Sequence, residues 1–352
     1  MIFFDTTRTG RRGRRSGLDR VSTRLRESLG AGAQAVVWDE GLRDLRTGNH
    51  VSLRPGDSFL STELFSEEER PGFTAFLASP SCRLAAIFHD AIPLKHPHIT
   101  WPQSVARHPG YMKLLSLFER VWAVSEASRA DLAGFWRWQG IERPPAVDVL
   151  ALGADFNAAP RVTAPRLPTA NAQPRPPQLL CLGIIEPRKN QEFLLEVCED
   201  LWSEGLAFKL HVVGRVNPHF GAPIVRRLKI LRRTRSEFLH YHEAATDRIV
   251  TQLYSQSRAS VFATMAEGCG LPLLESLWMG VPCICSDLPV LRENADGGGC
   301  LPVPPNDRAA WKETLRRVLT DDALHGQLLA AAVARPLPTW SEAAHTVAAA
   351  LR

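Results

Sequence analysis

No stretch of the chain approaches the run of about 18 apolar residues that a membrane-spanning helix needs. The apolar start at Met1–Phe4 meets Asp5 after only four residues, too few for a signal-peptide core. Both absences lead us to expect a cytoplasmic protein. The seven cysteines, Cys82, Cys181, Cys198, Cys269, Cys283, Cys285 and Cys300, are odd in number, scattered and mostly inside apolar runs. They give no disulfide framework, and buried free thiols in a reducing compartment are expected. Cys283 and Cys285 form a C-x-C within the apolar run Val281–Cys285, but no second Cys or His pair stands at zinc spacing, so no metal site is expected there. Solenoid-type repeats are missing. Aromatic residues do not interleave with the basic clusters, which argues against the stacking platforms of a nucleic-acid binder.

What is present fits a soluble globular enzyme of two domains. At 352 residues the chain exceeds the size at which one core stops growing, and 45% hydrophobic with 22% charged residues is ordinary globular composition. The formal charge of +5 is uneven: Arg8, Arg11, Arg12, Arg14, Arg15 and Arg20 crowd one segment, and Arg226, Arg227, Lys229, Arg232, Arg233 and Arg235 another. Such clusters suit phosphates or an anionic lipid surface, or are simply solvated faces.

Short apolar runs alternate with helical patterns, the mark of βαβ units and a mostly parallel sheet. Expected strands in the first half are Ile2–Phe4, Ala35–Trp38, Ser58–Ser61, Leu84–Phe88, Val121–Val124 and Val147–Ala151. Expected helices are Leu18–Leu29, Ser66–Leu77, Trp101–Phe118 and Glu126–Trp136, the last capped by Ser125. A proline-rich stretch without periodicity follows and reads as a linker. The pattern then restarts with strands Leu179–Leu182, Lys209–Val213, Phe238–Tyr241, Ala259–Ala263 and Val281–Cys285, and helices Asn190–Ser203, Asp247–Gln256 and Pro272–Met279. Helical segments 307–319, 322–334 and 340–351 close the chain. The expected division is a Rossmann-like domain over 1–157, a linker over 158–178, a second Rossmann-like domain over 179–335, and a C-terminal helix within 336–352 that returns to the first domain.

In open α/β sheets ligands bind beyond the carboxyl ends of the strands, so the loops after strands carry the chemistry. Met265–Glu275 follows the strand Ala259–Ala263. Pro272 suits the first position of a helix, and Gly268 and Gly270 let backbone approach a ligand, so amide groups and the positive helix end form a phosphate cradle. Glu267 and Glu275 can accept hydrogen bonds from sugar or ribose hydroxyls, or serve only as a loop acid and a dipole partner. Gly183–Asn190 places Arg188 and Lys189 where they can meet negative charge on a departing group, unless they are surface cations. His89-Asp90 ends a buried strand, where the imidazole bonds either a substrate or backbone. The loop Thr6–Gly17 carries Gly10, Gly13, Gly17 and five arginines, but its spacing is not G-x-G-x-x-G.

Together these residues resemble the retaining glycosyltransferases of family 4, over nearly the whole chain. The family's Glu-x7-Glu hallmark reads here Glu267-Gly-Cys-Gly-Leu-Pro-Leu-Leu-Glu275, and Gly183–Asn190 looks like the "GTIEPRKN" loop of bacterial polysaccharide transferases. His89-Asp90 stands where the family has its "HD" pair, and Ser16-Gly17-Leu18 where a glycine contacts donor phosphates. The resemblance implies the GT-B fold, two Rossmann-like doubly wound α/β domains facing across a cleft. It assigns catalytic roles to Lys189, Arg188, Glu267 and His89. Donor binding falls to Gly17, Gly183, Gly268, Cys269, Gly270, Leu271 and Glu275, and the acceptor side to Asp90. Three features depart from the pattern: Cys269 replaces the usual Phe, Ile184 stands where many members carry Arg, and the first loop is longer and more basic.

The expectation is therefore retaining transfer of a hexose from a nucleoside-diphosphate sugar. GDP-mannose is favoured over UDP-sugars and dTDP-rhamnose, with a glycan or lipid-linked acceptor. No cofactor and no metal are expected, since there is no Asp-x-Asp. Peripheral contact with an anionic membrane is expected, and nucleic acid is not. Two rival readings stay open, another nucleotide-sugar enzyme such as an epimerase and a non-catalytic nucleotide-sugar-binding subunit.

Overall fold

The computed structural model describes residues 1–10, 17–157, 159–164 and 176–351. In chain order the first elements are β1 (Ile2–Asp5), α1 (Gly17–Leu29), β2 (Ala33–Trp38), β3 (Leu42–Asp44), β4 (Ser58–Ser61), α2 (Phe73–Ala78) and β5 (Arg83–Phe88). They continue with α3 (Ile92–Lys95), α4 (Pro102–Leu114), β6 (Arg120–Ala123), α5 (Glu126–Trp138) and β7 (Val147–Val149). There follow β8 (Gln178–Leu182), α6 (Gln191–Ser203), β9 (Lys209–Val213), α7 (Gly221–Thr234), β10 (Leu239–His242) and α8 (Asp247–Gln256). The last elements are β11 (Ala259–Phe262), α9 (Leu271–Trp278), β12 (Cys283–Ser286), α10 (Pro289–Ala295), β13 (Cys300–Val303), α11 (Arg308–Thr320), α12 (Asp322–Ala334) and α13 (Trp340–Ala350).

The chain forms two units, Met1–Gly153 with Pro338–Arg352, and Ala154–Leu337. The first holds a seven-stranded sheet in the order β3-β2-β1-β4-β5-β6-β7, parallel except for the edge strand β3. Its central strands are buried on both faces, as helical crossovers require. Trp38, Phe59, Phe65 and Phe73 meet edge to face in its core. The C-terminal helix α13 is part of this unit: a capping box of Thr339 and Glu342 starts it, and it packs on α1. The carbonyl of Leu351 then accepts from Ser58 and Arg83. Gly153 leaves room for α13, because a Cβ there would lie 2.3 Å from the Trp340 backbone nitrogen.

The second unit is a six-stranded parallel sheet, β10-β9-β8-β11-β12-β13. Leu194, Leu195, Cys198, Leu228, Trp311 and Leu315 cover one face of it. Five of the seven cysteines are buried and all seven are free thiols. Within the segment read as a linker, residues 158 and 165–175 lie outside the described residues, whereas 159–164 pack on this unit. There Trp278 donates to the Ala159 carbonyl at 2.9 Å and Val162 donates to the Trp278 carbonyl.

Several local expectations need correction. The helix expected over Ser66–Leu77 shrinks to α2, because Pro71-Gly72 interrupts it and Gly72 sits at φ 80°. The Glu67 carboxylate instead accepts from the amides of Gly72 and Thr74. The strands β3 and β13 and the helices α3, α7 and α10 were not anticipated. The cap at Ser125 is present, accepting from Ser128 N at 3.1 Å.

Candidate functional site

The chemistry anticipated after β8 and β11 is brought together at the carboxyl edge of the second unit's sheet. Gly183 follows β8, and its amide donates to the Val213 carbonyl. Gly214, after β9, passes so close that a Cβ there would sit 1.7 Å from the Gly183 oxygen. That close approach, which the sequence reading missed, fixes the start of the cationic loop. The loop then makes a single 3-10 turn, Pro187–Lys189. Asn190 does not cap α6 through its side chain. It adopts the left-handed region at φ 57°, and its amide donates to Asn306 at 2.9 Å.

Lys189 and Glu267 form a buried ion pair, with side chains 10% and 8% exposed. Arg188 stands 3.4 Å from the same Glu267 oxygen, pairs with Glu186 at 2.7 Å and donates to the Ala266 carbonyl at 2.9 Å. Thr264, also missed from sequence, donates to Glu267 at 2.7 Å. The Met265 amide donates to the Arg188 carbonyl at 2.8 Å, so the two loops are tied by backbone as well as by charge. The Lys189 ammonium also lies 4.9 Å from the Phe262 ring centroid. Burial pushes the Glu267 carboxyl up, but the Lys189 and Arg188 cations outweigh it and hold it below the usual carboxylate range. Burial, reinforced by Arg188, pulls Lys189 below the ordinary lysine value against the attraction of Glu267.

The helix beyond Glu267 begins one residue earlier than expected. Gly270 is its N-cap in the left-handed region at φ 84°, Leu271 is its first residue, and Pro272 its second. Glu275 is therefore in the second turn rather than the first, and it is 3% exposed. Gly268 and Cys269 form the turn into the cap, and Asn294 of α10 donates to the Cys269 carbonyl. A Cβ on Gly270 would approach Leu291 Cδ2 to 2.5 Å, so α10 closes this loop from one side. Amides opening a helix next to two cations make a site suited to an anion.

The remaining anticipated residues belong to the first unit. His89, after β5, is 7% exposed, and its Nε2 lies 2.8 Å from the Thr62 carbonyl. A carbonyl partner makes Nε2 the donor, and burial lowers the imidazole's pKa, so the ring is neutral with Nδ1 left as an acceptor. Asp90 accepts from the Ile92 amide at 2.9 Å, and its carbonyl takes the His108 Nε2 contact at 2.9 Å, a partner not foreseen. Gly17 opens α1, and among the described residues nothing lies within 4 Å of where its Cβ would be. Arg11 to Ser16 lie outside the described residues.

Reasoning from sequence also missed a buried trio in this unit. Arg70, 1% exposed, bridges Asp5 and Glu63 at 2.7 Å each. Glu63 in turn accepts from the amides of Arg8 and Thr9, both at 2.8 Å, and so fixes the start of the basic loop. Burial and the neighbouring Asp5 charge push the Glu63 carboxyl up to about 7, against Arg70 and the two amides. Among the described residues, no cluster of three or more His, Cys, Asp or Glu is arranged to hold a metal ion, and no helix is long and apolar enough to cross a membrane.

Residues 176–321 match the model of a family described as Glycosyl transferases group 1. The chain is 28% identical over 222 residues to the serotype-specific mannosyltransferase WbdA of Escherichia coli, a match covering 59% of this chain and 26% of that protein. It is 32% identical over 145 residues to the O-antigen chain mannosyltransferase B of Escherichia coli, covering 41% and 37%. The chain thus spans well under half the length of these curated relatives. Among solved structures, Alr3699/HepE of Anabaena in complex with UDP and glucose superposes with a TM-score of 0.73 at 13% identity, covering 99% of this chain and 98% of that one. The chain has the GT-B fold, and its segment 176–321 is similar to the glycosyl transferases of group 1.

Proposed function

We propose that the protein transfers a hexose from a nucleoside-diphosphate sugar, best GDP-mannose, to a glycan or lipid-linked acceptor in surface polysaccharide synthesis, with retention and without a metal. The observation that carries this reading is the Lys189–Glu267–Arg188 cluster beside the N-terminus of α9. A sugar diphosphate presents an anion to the two cations and the helix amides, and hydroxyls to the carboxylate. As the glycosidic bond lengthens, negative charge grows on the leaving diphosphate, and Lys189, Arg188 and the amides of 268–271 are already in place to stabilise it. They supply the positive charge that a divalent ion supplies elsewhere. Entry of the diphosphate draws Lys189 toward phosphate and releases Glu267 to the sugar. Glu275 takes the ribose, and Gly17, Gly183 and Cys269 line the donor. His89 and Asp90 serve the transferring sugar and the acceptor.

The mannosyltransferase names of both curated relatives favour mannose, and the UDP and glucose bound in HepE favour a nucleotide-sugar of some kind. A thermal-shift panel of GDP-, UDP- and dTDP-sugars, followed by transfer assays with and without chelator, tests the reading. A donor at 100 times its Kd adds about 2.7 kcal/mol of stability. If no nucleotide sugar raises the melting temperature, the proposal fails. If chelator abolishes turnover, its metal-free part fails.

A further inference from the structure

We propose that the outward face of α7, in the second unit, is the surface by which the protein docks on an anionic phospholipid membrane. This deepens the membrane contact expected of an enzyme with a lipid-linked acceptor and rests on that part of the reading. The sequence of α7, Gly221 to Thr234, contains no acidic residue. Its inward face, Ile224, Val225, Leu228 and Leu231, is buried in the unit's own core. The opposite stripe, at helical spacing, is Arg226, Lys229, Ile230 and Arg233, all exposed, with Ile230 58% exposed. Arg232, also exposed, flanks it.

Neutralisation separates these cations from an ordinary salt-bridged helix. Arg227, on one flank, is paired with Glu196 and Glu199 of α6. Among the described residues, Arg226, Lys229, Arg232 and Arg233 have no acidic partner. The charge of Arg232 reaches the neighbouring strand. Burial pulls His240 and His242 of β10 down, and Lys209 with Arg232 adds to the shift at His240, as do His240 and Arg232 at His242.

An anionic surface fits this face better than a folded acidic partner or a free phosphate. The cations lie along a helix about 20 Å long, with one exposed aliphatic side chain among them rather than a concave pocket. Because the apolar side of α7 is already packed, the helix cannot insert that side into the bilayer. Only the charged stripe and Ile230 are available, so attachment is electrostatic, shallow and salt-sensitive. Each cation near an anionic leaflet is worth roughly a factor of five in partition.

The test is co-sedimentation of the whole chain with vesicles of phosphatidylcholine alone or mixed with phosphatidylglycerol, at low and high salt. Binding to the mixed vesicles only, lost at high salt, is expected. The variant Arg226→Glu, Lys229→Glu, Arg232→Glu and Arg233→Glu should lose binding by at least about a hundredfold. A control reversing the exposed Arg46, Arg54, Lys113 and Arg143 should keep most of it. Ile230→Ser should weaken binding severalfold without changing its salt dependence. All three variants should keep the melting temperature and the hydrolysis of soluble nucleotide sugar, which separates failure of the docking face from failure of the transferase reading. Wild type that ignores phosphatidylglycerol, equal loss in the control, or binding to a DNA column but not to vesicles overturns the proposal.

Discussion

Removing either partner of the Lys189–Glu267 pair should cost more than removing both. Lys189→Met leaves the Glu267 carboxylate, 8% exposed, with Thr264 and an Arg188 that is already engaged by Glu186. Glu267→Gln leaves the Lys189 ammonium, 10% exposed, beside the like charge of Arg188. A buried charge stripped of its partner costs about 3–5 kcal/mol, whereas replacing both with neutral side chains of similar volume is close to neutral. For a unit of this size the single variants should melt on the order of 10 °C lower, and the double variant should recover most of that loss. The coupling energy from the cycle should therefore be about 3 kcal/mol or more, with the sign of an interaction lost once rather than twice. Turnover should behave differently: all three variants should lose about two to three orders of magnitude, because a charge meant for the transition state is not restored by neutralising its partner. Melting curves and initial rates on the same four proteins decide it. Additive losses of stability, or a double variant that regains turnover, would refute the reasoning.

Glu63 predicts an unusual pH dependence. Its carboxyl is raised in the folded state from 4.5 to about 7, so folding takes up a proton: the stability it contributes is full below about 4.5 and is lost as pH rises to about 7. The loss is on the order of 3 kcal/mol, and Glu63→Gln should flatten that part of a denaturation-versus-pH profile; a variant with unchanged slope counts against it. Gly270→Ala forces a side chain into the left-handed region and against Leu291, costing about 1–3 kcal/mol in a melt and weakening donor affinity in a titration. Unchanged affinity there would show that the opening of α9 does not hold the donor.

Most of the alternation of strands and helices could be read from the sequence, because strands buried on both faces leave near-continuous apolar runs and their crossovers carry helical periodicity. The elements that escaped had weak or masked signals. β3 is three residues long and antiparallel at an edge. In α7 five cations mask the signal of Ile224, Val225, Leu228 and Leu231, whose spacing is plainly helical. In Ser66–Leu77 the helical composition was real, but Pro71-Gly72 outweighed it. The site was legible on the Glu267–Glu275 side because glycines, a proline and two acids at fixed spacing have few other uses together. The meeting of Lys189 with Glu267 was not: contact between loops after β8 and β11 depends on those strands being neighbours, and strand order is not written in local pattern. Arg70 was hidden for a simpler reason, since an arginine after three glutamates reads as solvent-facing.

That hidden arginine and the Lys189 pair share a logic. Both bury charge just past the carboxyl ends of central strands: Asp5 ends β1, Glu63 lies beyond β4, Lys189 beyond β8 and Glu267 beyond β11. Ion pairs in such places are poor sources of stability, because desolvation consumes most of their attraction and apolar side chains would pack at no greater cost. What they do supply is fixed backbone. The Glu63 carboxylate holds two consecutive amides of the loop after β1, and the loops after β8 and β11 are held to each other by Arg188 donating to the Ala266 carbonyl and the Met265 amide donating to the Arg188 carbonyl. An extended loop at a sheet edge has many conformations, and only a directional, charge-assisted bond selects one of them without filling the space a ligand must enter. The charges are thus better understood as the means by which short strand-to-helix loops are held open and in register than as part of either core.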